Sequence, residues 1–212
     1  MCGIACCLSN NKAEGLKFGA RSLALLKHRG PDDNGLYSDD NITISHNRLS
    51  ILDLSHSGHQ PMVSSCGRYV IAYNGEMYNH LELRKKYLSG HPVKGHSDTE
   101  TVVELFRVMQ EQMLPAFVGM WALMIWDKQK KKLFVSRSRF GQKPLYVRRV
   151  SGAWLMASEI KPLIAENESV GFDTTAVVEY LALGNYGHLS VHTFFKDISH
   201  FPSDRYAWID AK

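Results

Sequence analysis

The stretch from Phe117 to Ser158 constrains the fold more than any other part of the chain. It holds four β-forming runs in close succession: Met120–Trp126, Leu133–Ser136, Pro144–Val150 and Ala153–Ala157. The lysines of Lys128-Gln129-Lys130-Lys131-Lys132 fall between the first two runs and read as a solvated hairpin tip. Other strands come earlier. Cys2–Leu8 is a short apolar run suited to a buried strand, and residues 36–54 read as two strands broken near Asp39-Asp40-Asn41. Tyr69–Tyr73 is a further buried strand, expected to stop at Asn74-Gly75. Helices separate these blocks. One follows the Asn11/Glu14 capping box, with Leu16, Ala20, Leu23 and Leu26 at helical spacing; a short one lies around His80–Leu88. Another follows Ser97-Asp98-Thr99-Glu100, with Val102, Phe106, Met109 and Met113 on one face. Helices set between β blocks imply a layered α+β architecture.

Composition excludes several classes. At 44% hydrophobic and 22% charged, 212 residues bury a real core, and no apolar run approaches the length of a membrane span. A net charge of +4 is no nucleic-acid stripe, so neither nucleic acid nor membrane is an expected partner. Four cysteines in a chain this long make no disulfide framework. The N-terminus lacks the pattern of a secretory signal, so free thiols in a reducing cytoplasm are expected.

The chemistry-bearing residues start at Cys2. If Met1 is removed, Cys2 carries a free α-amine, which is a base near neutral pH beside its own thiol. Taken alone, Cys2 reads as an ordinary small packing residue. Asn74-Gly75 can aim a side-chain amide and a backbone N–H at one point, as an oxyanion hole requires, or can be a plain turn. Arg48, in a strand-like segment, calls for a carboxylate partner. Asp98 can accept from an ammonium group or simply favour its helix dipole.

Eight ordered blocks carry these residues: Met1–Ile4, His28–Asp32, Asn47–Asp53, Gln60–Met62, Tyr73–Asn79, Ser97–Glu100, Phe140–Tyr146 and Ala157–Lys161. In this order they resemble the class II, N-terminal-nucleophile glutamine amidotransferase domain, and most closely that of glutamine-hydrolysing asparagine synthetases. The resemblance implies a four-layer α/β/β/α sandwich of the Ntn-hydrolase type. It also implies hydrolysis of the glutamine side-chain amide to glutamate and ammonia. Cys2 matches the nucleophile and its α-amine the base; Asn74 and Gly75 match the oxyanion hole. Arg48 matches the clamp on the α-carboxylate of glutamine and Asp98 the partner of its α-ammonium. Glu76, with backbone groups of Leu49, Ile51, Leu52 and Gly75, matches the rest of the pocket.

The resemblance divides the chain into an amidotransferase domain over 1–171 and a connector over 172–212 leading to a synthetase domain. That segment holds one helix-like run, Thr174–Leu183, and aromatics at Tyr186, Phe194, Phe195, Phe201, Tyr206 and Trp208, more than a solvated linker needs. The family's Ser-Gly-Gly-x-Asp-Ser phosphate loop is absent, so no cofactor is expected in this chain. ATP and magnesium belong to a synthetase domain or subunit, whose product is expected to be asparagine, and a homodimer is a further expected assembly. Ser138 stands where the family commonly has Asp, which threatens to leave Arg137 or Arg139 without an internal partner. The alternative function is a non-catalytic module of the same fold that senses glutamine or binds a partner, for which Cys2 would be dispensable. No metal site is expected: His188 and His192 have i, i+4 spacing but no acid between them and no recognisable third ligand. Cys66 lacks any protease signature.

Overall fold

The computed structural model describes residues 1–165, 168–184 and 191–211. Two antiparallel sheets face each other. The first contains β1 (Gly3–Leu8), β2 (Asp33–Ser38), β3 (Ile42–Arg48), β8 (Tyr146–Val150), β9 (Ala153–Ala157) and β10 (Ile198–His200), in the order β10-β8-β9-β1-β3-β2. The second contains β4 (Met62–Val63), β5 (Tyr69–Met77), β6 (Gly119–Asp127), β7 (Lys132–Arg137) and β11 (Arg205–Asp210), in the order β11-β7-β6-β5-β4. Helix α1 (Lys12–Leu25) covers the outer face of the first sheet, and α2 (His80–Tyr87) and α3 (Asp98–Met109) cover that of the second. The order of layers is α/β/β/α, as expected.

Period-two alternation builds the layers. In β1, Ile4, Cys6 and Leu8 point between the sheets, while Ala5 and Cys7 point toward α1. In β5, Val70 and Ala72 point between the sheets, while Tyr69, Ile71 and Tyr73 pack beneath α3. Fully buried Trp126 lies in the inter-sheet layer and donates its indole N–H to Asp39 at 2.7 Å.

Three local expectations change. The buried face of α1 is Gly15, Phe18, Gly19 and Ser22, with Leu26 just beyond its end, whereas Leu16 and Ala20 are exposed. The glycines set that face, because a Cβ on Gly19 would lie 2.6 Å from Leu36 and 2.8 Å from Thr43. β5 does not stop at Asn74-Gly75. It runs on to Met77, with Asn74 opposite Ala122 and Gly75 opposite Trp121. Gly75 answers a close approach here rather than a turn, since a Cβ would lie 2.5 Å from the Met120 carbonyl oxygen and the Tyr73 ring. Residues 49–54, read as part of a strand, form a loop instead.

The segment expected as a connector is partly built into the sandwich. Its helix-like run is α4 (Thr174–Leu183), capped by Asp173 and ended by Gly184 at φ 67°. β10 and β11 then extend one edge of each sheet. Phe201 is buried between the sheets, Phe195 stacks on Phe172, and Phe194 meets Tyr180 edge-on. Trp208 packs on Phe134 and Phe106 at 5.1 and 5.7 Å between centroids, and Tyr206 on Phe134 at 5.6 Å. Tyr186 lies outside the described residues. The lysine tip is a tight turn between β6 and β7, with Lys130 over Trp208 and Lys132 paired to Asp210 at 3.0 Å.

Arg137 finds its partners without the missing Asp. Its guanidinium donates to the carbonyls of Lys143, Phe201 and Gly141 at 2.8, 2.8 and 2.6 Å. Ser138 is buried and donates to Gln142 at 2.9 Å, while Arg139 is exposed.

Trp208→Ala should lower folding stability by about 2 kcal/mol, below the full cost for a buried Trp because this ring is partly exposed. The shift in urea midpoint measures it; an unchanged midpoint would show that 205–210 adds nothing to the sandwich.

Candidate active site

The residue before β1 and the middle of β5 meet at one end of the seam between the sheets. There a cavity of about 130 Å³ opens, lined by all nine residues singled out from the sequence: Cys2, Arg48, Leu49, Ile51, Leu52, Asn74, Gly75, Glu76 and Asp98. A water needs roughly 10–15 Å³ measured this way, so the space suits a ligand of about ten heavy atoms, the size of one amino acid.

Cys2 is half-buried, and its thiol points at the Leu49 carbonyl at 3.8 Å. Burial pushes the thiol's pKa up, opposed in part by the N-terminal ammonium and the Arg48 guanidinium. Two sequence blocks that carried no assigned role hold its backbone. Arg29 donates from Nε to the Cys2 carbonyl at 3.0 Å and from Nη1 to Glu159 at 3.1 Å, and His28 contacts the same Glu159 oxygen at 2.8 Å. Burial raises the Glu159 pKa, but these two partners outweigh it and hold the carboxyl below its ordinary range.

Asn74 is 1% exposed, and its Nδ2 has no hydrogen-bond partner among the described residues. A buried amide left unpaired costs about 1–3 kcal/mol, so this donor is held ready for an acceptor that arrives with the ligand. The backbone of Tyr73, the residue before it, is fixed from two sides. Tyr73 N–H donates to Gln60 Oε1 at 2.7 Å, and Gln60 Nε2 donates to Thr99 at 3.1 Å. His46, fully buried between the sheets, contacts the Tyr73 carbonyl through Nε2 at 3.3 Å. Burial pushes the His46 pKa down to about 3, so the ring is neutral and serves as the donor.

Arg48, 6% exposed, gathers the loop that follows β3. It donates to the carbonyls of Ser55 at 2.9 Å, Leu52 at 3.4 Å and Asp53. A guanidinium has five N–H groups, so donors remain for an anion. This loop carries Leu49, Ile51 and Leu52 to the cavity rim, leaving Ile51 and Leu54 exposed.

Asp98, also 6% exposed, starts α3 directly after the Ser97 cap. Its Oδ2 accepts from the Met77 N–H at 2.9 Å and the Tyr73 hydroxyl at 3.2 Å. Burial raises its pKa, and no cation pairs with it among the described residues. A buried carboxylate in this position favours a ligand that brings an ammonium group.

Gln60, Thr99, Met120 and Lys143 also line the cavity and were not singled out from the sequence. Gln60, Thr99 and Lys143 sit inside blocks that resemble the family, so a signal is present in the sequence without a role attached. Glu76 lines the cavity from β5. All four cysteines are free thiols, and Cys66 lies away from the site, 3.3 Å from Ser64. His188 lies outside the described residues.

The chain has relatives among known proteins. The glutamine amidotransferase domain family matches residues 1–212, and the chain belongs to it. It is 34% identical over 159 residues to asparagine synthetase [glutamine-hydrolyzing] 1 of Bacillus subtilis, covering 74% of this chain and 25% of that protein. It is 36% identical over 141 residues to asparagine synthetase B [glutamine-hydrolyzing] of Escherichia coli, covering 66% of this chain and 25% of that one. The chain thus spans about a quarter of the length of these relatives. Among solved structures it resembles the glutamine phosphoribosylpyrophosphate amidotransferase of B. subtilis, with a TM-score of 0.64 and 18% identity over 76% of this chain and 42% of that one. The fold is that of the N-terminal-nucleophile amidotransferases.

Gln60→Ala should cost about 1–3 kcal/mol of stability, because it leaves the buried Tyr73 N–H unpaired. Urea unfolding measures this, and a loss near zero would show that the Tyr73–Gln60–Thr99 tie does not hold β5 to α3.

Proposed function

We propose that this chain hydrolyses the side-chain amide of glutamine to glutamate and ammonia, through a thioester on Cys2. The observation that carries the reading is the buried, unpartnered Asn74 amide in the same cavity as the Cys2 thiol. Removal of Met1 frees the Cys2 α-amine, which takes the thiol proton as sulfur attacks the amide carbon. The carbonyl oxygen becomes an oxyanion and accepts from Asn74 Nδ2 and the Gly75 N–H. Collapse of this intermediate breaks the C–N bond, and the proton held by the α-amine passes to the departing ammonia. Water, deprotonated by the same amine, then attacks the thioester and releases glutamate. Arg48 receives the α-carboxylate with its remaining N–H groups, and Asp98 receives the α-ammonium. Glu76 and the backbone of Leu49, Ile51 and Leu52 complete the pocket.

The ammonia serves an asparagine-synthetase-like amidation, in which ATP and magnesium act in a synthetase domain or subunit. The relatives named above support this acceptor, as they are named as glutamine-hydrolysing asparagine synthetases. A cytoplasmic setting would keep the free thiols reduced. A non-catalytic glutamine-binding module would use the same Arg48, Asn74 and Asp98. The placement of a thiol in the cavity favours hydrolysis over that reading.

Asn74→Ala should lower kcat by about 10²–10³ with a smaller change in KM, the loss expected for one oxyanion donor. Arg48→Lys and Asp98→Asn should chiefly raise KM, because they hold parts of glutamine that do not react. Steady-state glutaminase kinetics separate the two patterns. A steep rise in KM with kcat intact for Asn74→Ala would make it a binding residue.

Activity should follow Met1 removal. Intact-mass measurement of the N-terminus on the assayed sample is the check. A homogeneous sample that retains Met1 and turns over at full rate would exclude the α-amine as base.

A further inference from the structure

A second cluster of chemically competent side chains lies behind one wall of the cavity. Asp33 begins β2, and in the loop that Arg48 gathers His56 opens a single 3-10 turn that His59 follows. One ligand atom from each of the three lies within 4.8 Å of the other two. His59 Nδ1 is 2.7 Å from Asp33 Oδ2, and the His56 and His59 rings stack with centroids 4.9 Å apart. The other Asp33 oxygen accepts from the Asn34 N–H at 2.8 Å.

An Asp–His hydrogen bond accounts for Asp33 and His59. It leaves His56, whose exposed ring sits beside that pair with no hydrogen bond of its own among the described residues. We propose that Asp33, His56 and His59 bind a divalent transition-metal ion of the zinc type, through one carboxylate oxygen and two imidazole nitrogens, with water completing the shell.

The donor set fits. Imidazole with one carboxylate suits zinc and its first-row neighbours better than magnesium or calcium, which take all-oxygen shells. Bonds of about 2.0–2.1 Å place neighbouring tetrahedral ligand atoms roughly 3.4 Å apart. The Asp33–His59 contact needs to open by less than about 1 Å, and the exposed His56 ring swings in to close the remaining gap. The ion enters between Nδ1 and Oδ2, the Nδ1 proton of His59 moves to Nε2, and the Asn34 N–H continues to orient the carboxylate. Sequence spacing gives no hint of this site, because Asp33 is remote from the histidines until β2 pairs with β3 and brings it beside the loop.

Gly58 and Gln60, on either side of His59, line the catalytic cavity. A bound ion therefore ties that wall to β2. The inference rests on the three side chains alone and does not depend on the catalytic reading.

The test uses the full chain carrying Cys2→Ala, so that the active-site thiol cannot capture metal. Cobalt(II) is titrated and its visible absorption followed, zinc is used to compete it off, and thermal unfolding is recorded with and without zinc. We expect saturable one-to-one cobalt binding without a thiolate charge-transfer band, and a zinc-dependent rise in Tm. Adding His56→Ala should leave the metal-free Tm unchanged and abolish the zinc-dependent rise. It should weaken binding by more than the roughly 10–100-fold lost when an outer-shell partner of a metal ligand is removed. Absence of saturable binding, or equal binding with and without His56, overturns the proposal.

Discussion

Cys2 leads into a strand of one sheet, and Asn74 lies in a strand of the other. They share a cavity because Ile4, Cys6 and Leu8 pack against Val70, Ala72 and Met124 in one continuous inter-sheet layer. Burying such side chains contributes roughly 1.5–3 kcal/mol each, and the layer holds the two sheets at fixed separation. His46 adds one polar bridge across it, from β3 to the Tyr73 carbonyl. The Cys2 thiol and the buried Asn74 amide are thus set by the packing of the whole sandwich rather than by local loops.

The charged side chains of the site answer to that frame in different ways. Arg48 is held by loop carbonyls, so the rim segment 49–55 and the guanidinium order each other. Asp98 is held by α3 and by the end of β5, with a hydroxyl and a backbone N–H as its donors. Arg29, itself held by Glu159, fixes the Cys2 carbonyl. Of the residues lining the cavity, Asn74 presents a buried donor with no partner among the described residues, while Arg48 keeps N–H groups beyond those its loop carbonyls use.

Much of this was legible in the sequence, and the misses have physical reasons. The four runs between Phe117 and Ser158 appear as β6, β7, β8 and β9, because alternating apolar residues between tight turns leave little alternative. Asn74-Gly75 reads as the end of a strand in the sequence but lies mid-strand, since the glycine answers a close approach from Met120 that only the fold creates. The leucines of α1 misled because Gly15 and Gly19 draw the helix onto β3 by their smallness, which a hydrophobic pattern does not register. β10 is too short, and its neighbours too irregular, to announce that residues after 197 complete both sheets. Gln60 stood in a recognisable block, yet its tie between Tyr73 and Thr99 needs three segments brought together.

In the proposed reaction, glutamine is opened by the Cys2 thiol against the Asn74 amide. Rapid acid quench during glutamine turnover, followed by mass spectrometry of the N-terminal peptide, tests it most directly. A glutamyl thioester on Cys2 that forms and decays at rates consistent with turnover is expected. Turnover at full rate with Cys2 never acylated, or acylation found on another residue, would contradict it.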